Sequence, residues 1–257
     1  MRLFLDTTIQ IDRIFGSRKK KAAIRAACEG HTCCCSTYVL GEFYATIIKD
    51  AVDIYHILWG EDNLNEAERR VSELARNRRS ERMHLLFIQL RDLYQNNLDE
   101  IRCEVQSYLE DLLHMFHRGL EGTLGDATQC QRGRARLVME EGLPILEGAG
   151  CRKDSCRCEV EAFWKDNQPL LEDVTFPDTL QEKPAQLLHA IRQGKYNNIK
   201  GNSCRTLGDS IITLEARAAA DGVCTTNRAD YQPLCDLFQT SLCCPGYSAV
   251  FQKPTFS

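Results

Sequence analysis

Strand-like sequence is concentrated at the two ends of the chain, and this division constrains the fold more than any other feature. Leu3-Phe4-Leu5 is a continuous apolar run that ends at Asp6, and residues 222–226 have the composition of a short strand near the other end. Such runs are typical of parallel strands that are covered on both faces. Because helical patterns follow each run, we expect both ends of the chain to contribute strands to one mainly parallel sheet.

Further elements complete this predicted α/β domain. Helices are expected at residues 9–15, 19–28 and 231–238, and short strands at residues 32–36 and 247–252. Ser36 or Thr37 is a typical N-cap, and the apolar residues that follow recur at helical spacing. Asp209 should open another helix, and residues 227–230 should form a turn after the strand at 222–226.

The middle of the chain, residues 53–195, has a different character. It is rich in charged residues and poor in strand-like sequence, and residues 85–94 and 101–113 show the spacing of amphipathic helices. We therefore predict an all-helical insertion at 53–195 in a discontinuous domain formed by residues 1–52 and 196–257. That domain is expected to have three layers, with a central mainly parallel sheet between helices.

Overall charge and hydropathy restrict the cellular setting. The formal net charge of −4 argues against a general basic coat for nucleic acid, although a local basic patch can still guide phosphates to an acidic site. No apolar run approaches the roughly 20 residues that span a bilayer. The chain reaches an acid after Leu3-Phe4-Leu5, unlike the apolar core of a signal peptide. We expect a cytoplasmic protein with no membrane partner.

Four acidic residues fall where ligands bind in open α/β sheets. Asp6 ends a strand and Asp230 follows another. Glu42 and Asp209 are expected in the first turns of two helices, and ligands bind where strands end and the next helices begin. Crowded carboxylates repel one another unless a cation joins them, and Mg²⁺ and Mn²⁺ prefer oxygen ligands. The four acids are therefore predicted to share a divalent metal that activates water against a phosphodiester.

Four sequence blocks around these acids resemble the motifs of the PIN-domain nucleases. They are Leu3-Phe4-Leu5-Asp6-Thr7-Thr8, Leu40-Gly41-Glu42-Phe43, Gly208-Asp209-Ser210-Ile211-Ile212 and Thr225-Thr226-Asn227-Arg228-Ala229-Asp230-Tyr231. The last block is the most specific, because it agrees in residue type and spacing along its whole length. The resemblance covers residues 1–52 and 196–257, and the middle of the chain lies outside it.

The resemblance implies a PIN-like fold and a magnesium- or manganese-dependent endonuclease that acts on single-stranded or structured RNA. It places metal-binding roles on Asp6, Glu42, Asp209 and Asp230. Neutral polar groups beside them are expected to orient a ligand or a metal-bound water, and these are Thr7, Thr226 and Asn227. Two alternatives stay open: a PIN-like scaffold that binds RNA or protein without cutting it, and a structure-specific DNA nuclease.

Basic residues are candidate contacts for nucleic-acid phosphates. The residues singled out are Arg76, Arg78, Arg79, Arg82 and Arg228. A second basic stretch includes Arg132, Arg134 and Arg136. For both stretches the alternative is an ordinary solvated surface. The insertion itself is expected to set substrate access or to dock a regulatory protein partner.

Fourteen cysteines are many for a cytoplasmic protein. Without an export signal they do not indicate a disulfide framework, and we interpret about two thirds of them as small buried apolar residues. Cys151, Cys156 and Cys158, with Cys130 or a histidine as the fourth ligand, form the candidate site for structural Zn²⁺. Because their spacing differs from paired zinc-knuckle arms, structural cysteines in a loop are the preferred interpretation.

Overall fold

The computed structural model describes residues 1–78, 81–151, 158–197, 199–246 and 251–252, without the side chains of residues 78, 251 and 252. Its strands are β1 (Arg2–Leu5), β2 (Thr32–Cys34), β3 (Arg136–Glu140), β4 (Leu143–Glu147), β5 (Gly222–Cys224), β6 (Ser241–Cys243) and β7 (Phe251–Gln252). Its first α-helices are α1 (Thr7–Phe15), α2 (Arg18–Cys28), α3 (Thr37–Phe43), α4 (Lys49–Gly60), α5 (Leu64–Arg78) and α6 (Glu81–Leu93). The others are α7 (Leu98–His117), α8 (Val160–Asn167), α9 (Glu182–Arg192), α10 (Asn202–Thr206), α11 (Gly208–Ala219) and α12 (Arg228–Leu237).

Both ends of the chain meet in one sheet. The strand order is β2-β1-β5-β6-β7, in which the first four strands are parallel and β7 is antiparallel. β1 pairs with β5 so that Leu3 lies opposite Gly222 and Leu5 opposite Cys224. The predicted α/β class with a mainly parallel sheet is therefore confirmed.

Apolar side chains are buried on both faces of this sheet. In β1, Phe4 belongs to the larger hydrophobic cluster, whereas Leu3 and Leu5 belong to a smaller cluster with Ile9 of α1 and Ile24 of α2. This alternation follows from the two-residue period of a strand. Burial on both faces explains why the first strand is apolar without interruption.

The middle of the chain combines helices with one β-hairpin. β3 and β4 pair antiparallel, and both turn residues, Glu141 and Gly142, have positive φ, as a two-residue type I′ turn requires. The prediction of an all-helical insertion is therefore wrong at residues 136–147. Each strand has only five residues, so its alternation is too short to stand out from the helical sequence around it.

The hydrophobic core is continuous between the sheet and the middle of the chain. One cluster includes Phe4 of β1, Phe43 of α3, Leu109 of α7 and Trp164 of α8. The helices of residues 53–195 therefore pack on the elements formed by the chain ends. The division into a discontinuous domain and an insertion stays a prediction. Among the described helices, none combines the length and the apolar composition needed to cross a membrane.

Two element boundaries differ from the prediction in ways that move site residues. Ser36 is the N-cap of α3, accepting a hydrogen bond from the Val39 N–H at 3.4 Å. Since α3 begins at Thr37, Glu42 lies in the second helical turn, and its predicted place in the first turn is wrong. Asp230 lies in the first turn of α12 instead of the preceding turn, because the helix starts three residues earlier than expected.

The remaining boundaries shift by a few residues. A π-helical turn, Tyr44–Ile48, joins α3 to α4 without a break. The helices expected at 9–15 and 19–28 are α1 and α2. Of the strand expected at 247–252, β7 covers the last two residues, and residues 247–250 lie outside the described part of the chain.

Candidate active site

Asp6 lies at the carboxyl end of β1, directly before α1, and is 2% exposed. Its Oδ2 accepts hydrogen bonds from Thr8 Oγ1 at 2.6 Å and Thr225 Oγ1 at 2.8 Å. Its Oδ1 accepts a hydrogen bond from the Tyr231 hydroxyl at 2.8 Å. Burying a carboxylate is costly unless hydrogen bonds replace water, and here three hydroxyl groups do so. They come from α1, the end of β5 and α12, so Asp6 ties these elements together.

Glu42 reaches the same edge of the sheet from α3. Its Oε2 accepts a hydrogen bond from Thr7 Oγ1 at 2.5 Å. A methyl group at Gly208 would lie 2.9 Å from Glu42 Oε1, so the missing side chain lets the start of α11 approach the carboxylate. Burial raises the pKa of Glu42, the Thr7 hydrogen bond lowers it, and the charge of Asp6 raises it again. Glu42 and Asp6 therefore share one electrostatic environment.

Asp209 is half-buried in the first turn of α11. Burial is the largest cause that raises its pKa to about 7. Further increases come from the negative charges of Asp6, Glu42 and Asp230, and a hydrogen bond with Tyr231 opposes them. Like charges raise a carboxyl pKa only at short range. The structure thus brings together all four acids that the sequence predicts.

Asp230 completes this acidic group from α12. Its Oδ2 accepts a hydrogen bond from Asn227 Nδ2 at 2.6 Å, and its Oδ1 accepts one from Gln181 Nε2 at 2.7 Å. Asp209, Asp230 and Gln181 line a small cavity of about 60 Å³. That volume has room for water or a metal ion. Because Gln181 directly precedes α9, the middle of the chain reaches the acidic group.

The four acids do not form a finished set of metal ligands. Among the described residues, no three Asp, Glu, His or Cys side chains are placed to hold one metal ion. The hydroxyl and amide donors described above hold the carboxylates instead. The donor chemistry nevertheless fits a hard cation, since all four groups offer oxygen. None of the four acids takes part in the ion pairs found between described residues.

Arg132 brings a buried positive charge toward Glu42. It lies in the 3₁₀-helix Gln131–Arg134, is 5% exposed, and its Cζ is 5.2 Å from the centroid of the Tyr38 ring. A methyl group at Gly133 would lie 2.2 Å from the Thr37 carbonyl oxygen, so this turn packs closely on α3. The charge of Arg132 lowers the pKa of Glu42, against the effect of burial. Because it is buried, Arg132 does not belong to a basic surface.

A further buried acid, Glu215, lies on α11 nearly two turns after Asp209. It is 5% exposed, and its Oε2 accepts a hydrogen bond from Ser36 Oγ at 2.6 Å. Burial raises the pKa of Glu215 to about 8, the Ser36 hydrogen bond lowers it, and the charges of Asp126 and Glu42 raise it. Glu215 is therefore protonated at neutral pH, and Ser36 links it to the start of α3.

The three predicted polar residues, Thr7, Thr226 and Asn227, differ in which acidic side chains they contact. Thr7 and Asn227 contact the acids directly, through Glu42 and Asp230. The Thr226 hydroxyl donates to Asp12 Oδ2 at 2.9 Å instead.

Sequence reasoning missed four site residues, which are Thr8, Thr225, Tyr231 and Gln181. The first three stand within the motif blocks beside the acids, and their hydroxyl groups are the signal that could have identified them. Gln181 lies outside the motif blocks, and no local sequence pattern marks it as a site residue.

The predicted basic contacts are spread over distant elements. Arg76 is exposed near the end of α5, and Arg82 is half-buried at the start of α6. The side chain of Arg78 and all of Arg79 lie outside the described residues. Arg228 is the first residue of α12, the helix that carries Asp230. Contact with nucleic acid stays a prediction for each of them.

Nine of the thirteen cysteines within the described residues are buried, as the sequence predicts. Residues 152–157, and with them Cys156 of the zinc candidate, lie outside the described part. The charges of Cys130, Cys158 and Cys151 help to raise the pKa of Cys204, after burial, so these thiols lie in one region. Structural Zn²⁺ there stays untested.

Comparisons with protein-family models, with curated proteins and with solved structures find no match to this chain.

Proposed function

We propose that this protein is a divalent-metal-dependent endonuclease with a PIN-like fold. The observation that carries the proposal is the electrostatic coupling of four acids at one edge of the parallel sheet, which contributes to an Asp209 pKa of about 7. These acids come from both ends of the chain. They form one group in which burial and mutual repulsion disfavour the ionised carboxylates. Carboxylates perturbed in this way are concentrated at functional sites.

Mg²⁺ or Mn²⁺ suits the chemistry of this group. The residues that would hold the ion are Asp6, Glu42, Asp209 and Asp230. A bound ion supplies an activated water and stabilises negative charge on the phosphate. Asp209 must be ionised to act as a ligand, and its pKa is about 7. Metal binding at neutral pH should therefore release a proton from Asp209.

The polar residues of the site position the acids rather than the substrate. Thr8, Thr225 and Tyr231 donate to Asp6. Thr7 donates to Glu42 and Asn227 to Asp230. These hydrogen bonds restrict the rotation of three carboxylates before any ion binds. Preorganised acids lose less conformational entropy when they take up a ligand.

We propose RNA as the substrate class, on the resemblance of the four motif blocks to PIN-domain nucleases. The hydrogen bond from Gln181 to Asp230 supports a role for the middle of the chain in substrate access. That part also exposes large apolar side chains, including Trp59, Leu85 and Leu93, which supports docking of a regulatory protein partner.

Cleavage of labelled single-stranded RNA and DNA in Mg²⁺, Mn²⁺ or EDTA tests the proposal. We expect metal-dependent cleavage by the wild type, with RNA preferred. The Asp6→Asn/Asp209→Asn double variant should lose more than about a hundredfold in rate, which exceeds the usual effect of residues that only support metal ligands. Asp236→Asn is the matched control, because Asp236 is exposed on α12 and takes part in none of the hydrogen bonds described for the four acids.

Three other results would change the conclusion. Preferred cleavage of DNA would assign the structure-specific DNA nuclease. Binding of RNA without cleavage by folded protein would favour the non-catalytic scaffold. Equal cleavage by the wild type and the double variant would place the catalytic site elsewhere.

A further inference from the structure

Four cysteines lie on the face of the sheet opposite the larger hydrophobic cluster. Cys33, Cys224 and Cys243 occupy β2, β5 and β6, and all three are buried in the smaller cluster. Cys28, the last residue of α2, packs against them and is half-buried. The thiols of Cys33 and Cys224 lie close enough to Cys28 to shift its pKa. Cys28 is therefore the accessible member of a thiol group, and Cys33 is its buried neighbour.

Cys28 and Cys33 both line a surface cavity of about 750 Å³. The charged residues that line it are Arg13, Lys21, Arg25, Arg118, Glu29 and His31. Four of these are permanent cations and one is an acid. A concave surface with an excess of positive charge concentrates small anions. The cavity thus offers a positively charged approach to one half-exposed thiol.

The surroundings of Cys28 favour its thiolate. Hydrogen bonds from Cys224 and Cys33 lower the pKa of Cys28, burial raises it, and the charges of Arg13 and His31 lower it again. The carboxyl end of α2 disfavours an anion, and the donors and cations offset that effect. Thiolates are the reactive form of cysteine in disulfide exchange. For Cys33 the hydrogen bond with Cys28 and burial raise the pKa, so this thiol attacks slowly.

We propose that Cys28 is a thiolation site for small anionic disulfides that bind in this cavity, with glutathione disulfide as the representative reagent. The Cys28 Sγ thiolate attacks one sulfur of the disulfide and forms a mixed disulfide with it. The S–S bond of the reagent breaks, and its other half leaves as a thiolate that takes a proton from water. Cys28 is oxidised and the leaving half is reduced, so no other oxidant is needed.

Slow attack by Cys33 affects the lifetime of the mixed disulfide on Cys28. The mixed disulfide on Cys28 should accumulate, because its displacement requires deprotonation of a buried thiol. Cys103, which is exposed on α7, is the internal reference for a thiol without this cavity. The proposal concerns the face that carries α1 and α2 and does not depend on nuclease activity.

Intact-mass spectrometry with peptide mapping tests the proposal on the full chain. The folded protein is treated with glutathione disulfide, which is anionic, or with cystamine, which is cationic. We expect the adduct to map to Cys28 and to form at least about tenfold faster with the anionic reagent. The charge preference at Cys103 should be smaller.

Two sets of variants make the test specific. Cys28→Ser should abolish the fast adduct, whereas Cys103→Ser should leave it unchanged. Lys21→Gln/Arg25→Gln alters side chains at the protein surface and should slow the reaction with glutathione disulfide several-fold without slowing the reaction with cystamine. A fast adduct that maps to another cysteine, or equal rates at Cys28 for the two reagents, would overturn the proposal.

Discussion

Asp209→Asn should stabilise the metal-free protein at alkaline pH. In the folded chain the pKa of Asp209 is raised from 3.8 to about 7, so between these values the folded state holds a proton that the unfolded state releases. Stability therefore falls as pH rises through this window, and the loss is complete above pH 7. About 3 units of pKa at about 1.4 kcal/mol each correspond to roughly 4 kcal/mol.

The expected difference is smaller than this limit, because Asp209 is half-buried and water screens part of the repulsion. We expect Asp209→Asn to raise the free energy of unfolding by about 2–4 kcal/mol at pH 8 and by less than about 1 kcal/mol at pH 4. Urea denaturation in EDTA at both pH values measures this. Glu215, whose pKa is about 8, adds its own pH dependence to both proteins. The difference between the proteins therefore isolates Asp209.

Two results would refute this reasoning. One is an equal decrease in stability between pH 4 and pH 8 for the wild type and Asp209→Asn. The other is a destabilised variant at pH 8, which would mean that ionised Asp209 makes favourable contacts that outweigh the repulsion. Mn²⁺ should stabilise the wild type at pH 8, since an ion that binds only the folded state shifts the unfolding equilibrium. It should stabilise the variant less.

Three further substitutions test individual contacts. Gly208→Ala should cost about 1–3 kcal/mol in urea denaturation, because its methyl group would lie 2.9 Å from Glu42 Oε1; unchanged stability would mean that α11 can move away. Tyr231→Phe removes the hydroxyl that donates to Asp6 and should lower the free energy of unfolding by about 1–3 kcal/mol, whereas no loss would show that another donor replaces it. Glu215→Gln should stabilise the protein at pH 9 by up to about 5 kcal/mol and little at pH 4, because the pKa of Glu215 is raised from 4.5 to about 8. A gain that is equal at both pH values would contradict a raised pKa for Glu215.

The sheet could be predicted because its sequence signals are local. Leu3-Phe4-Leu5 is an apolar run, residues 222–226 have the composition of a short strand, and a strand–helix alternation restricts how they pair. The hairpin at residues 136–147 escaped prediction because its strands are short and their alternation weak. Its contacts with α4 are long-range, including a 2.8 Å hydrogen bond between His56 Nε2 and the Pro144 carbonyl oxygen. No local pattern encodes such a contact.

Asp6, Asp209 and Asp230 could be predicted because each lies at or near an element end that the sequence marks, whereas Glu42 lies in the second turn of α3. The supporting contacts of the acids could not be predicted, since the residues involved are far apart in the chain. Gln181 reaches Asp230, and Arg132 approaches Glu42, only because residues of the middle segment pack against the elements formed by the chain ends. The role of Thr226 in orienting a ligand stays a prediction; its hydroxyl donates to Asp12 Oδ2, and its backbone N–H donates to Thr8 Oγ1 beside Asp6.

Direct titration with Mn²⁺, followed by electron paramagnetic resonance of the free ion at pH 7.5, tests whether the four acids bind a metal ion, without a nucleic-acid substrate. We expect a saturable Mn²⁺ site in the wild type and in Asp236→Asn, with proton release on binding, and loss of that site in Asp6→Asn/Asp209→Asn. Equal Mn²⁺ binding by the wild type and the folded double variant would contradict the assignment of these acids as the metal site.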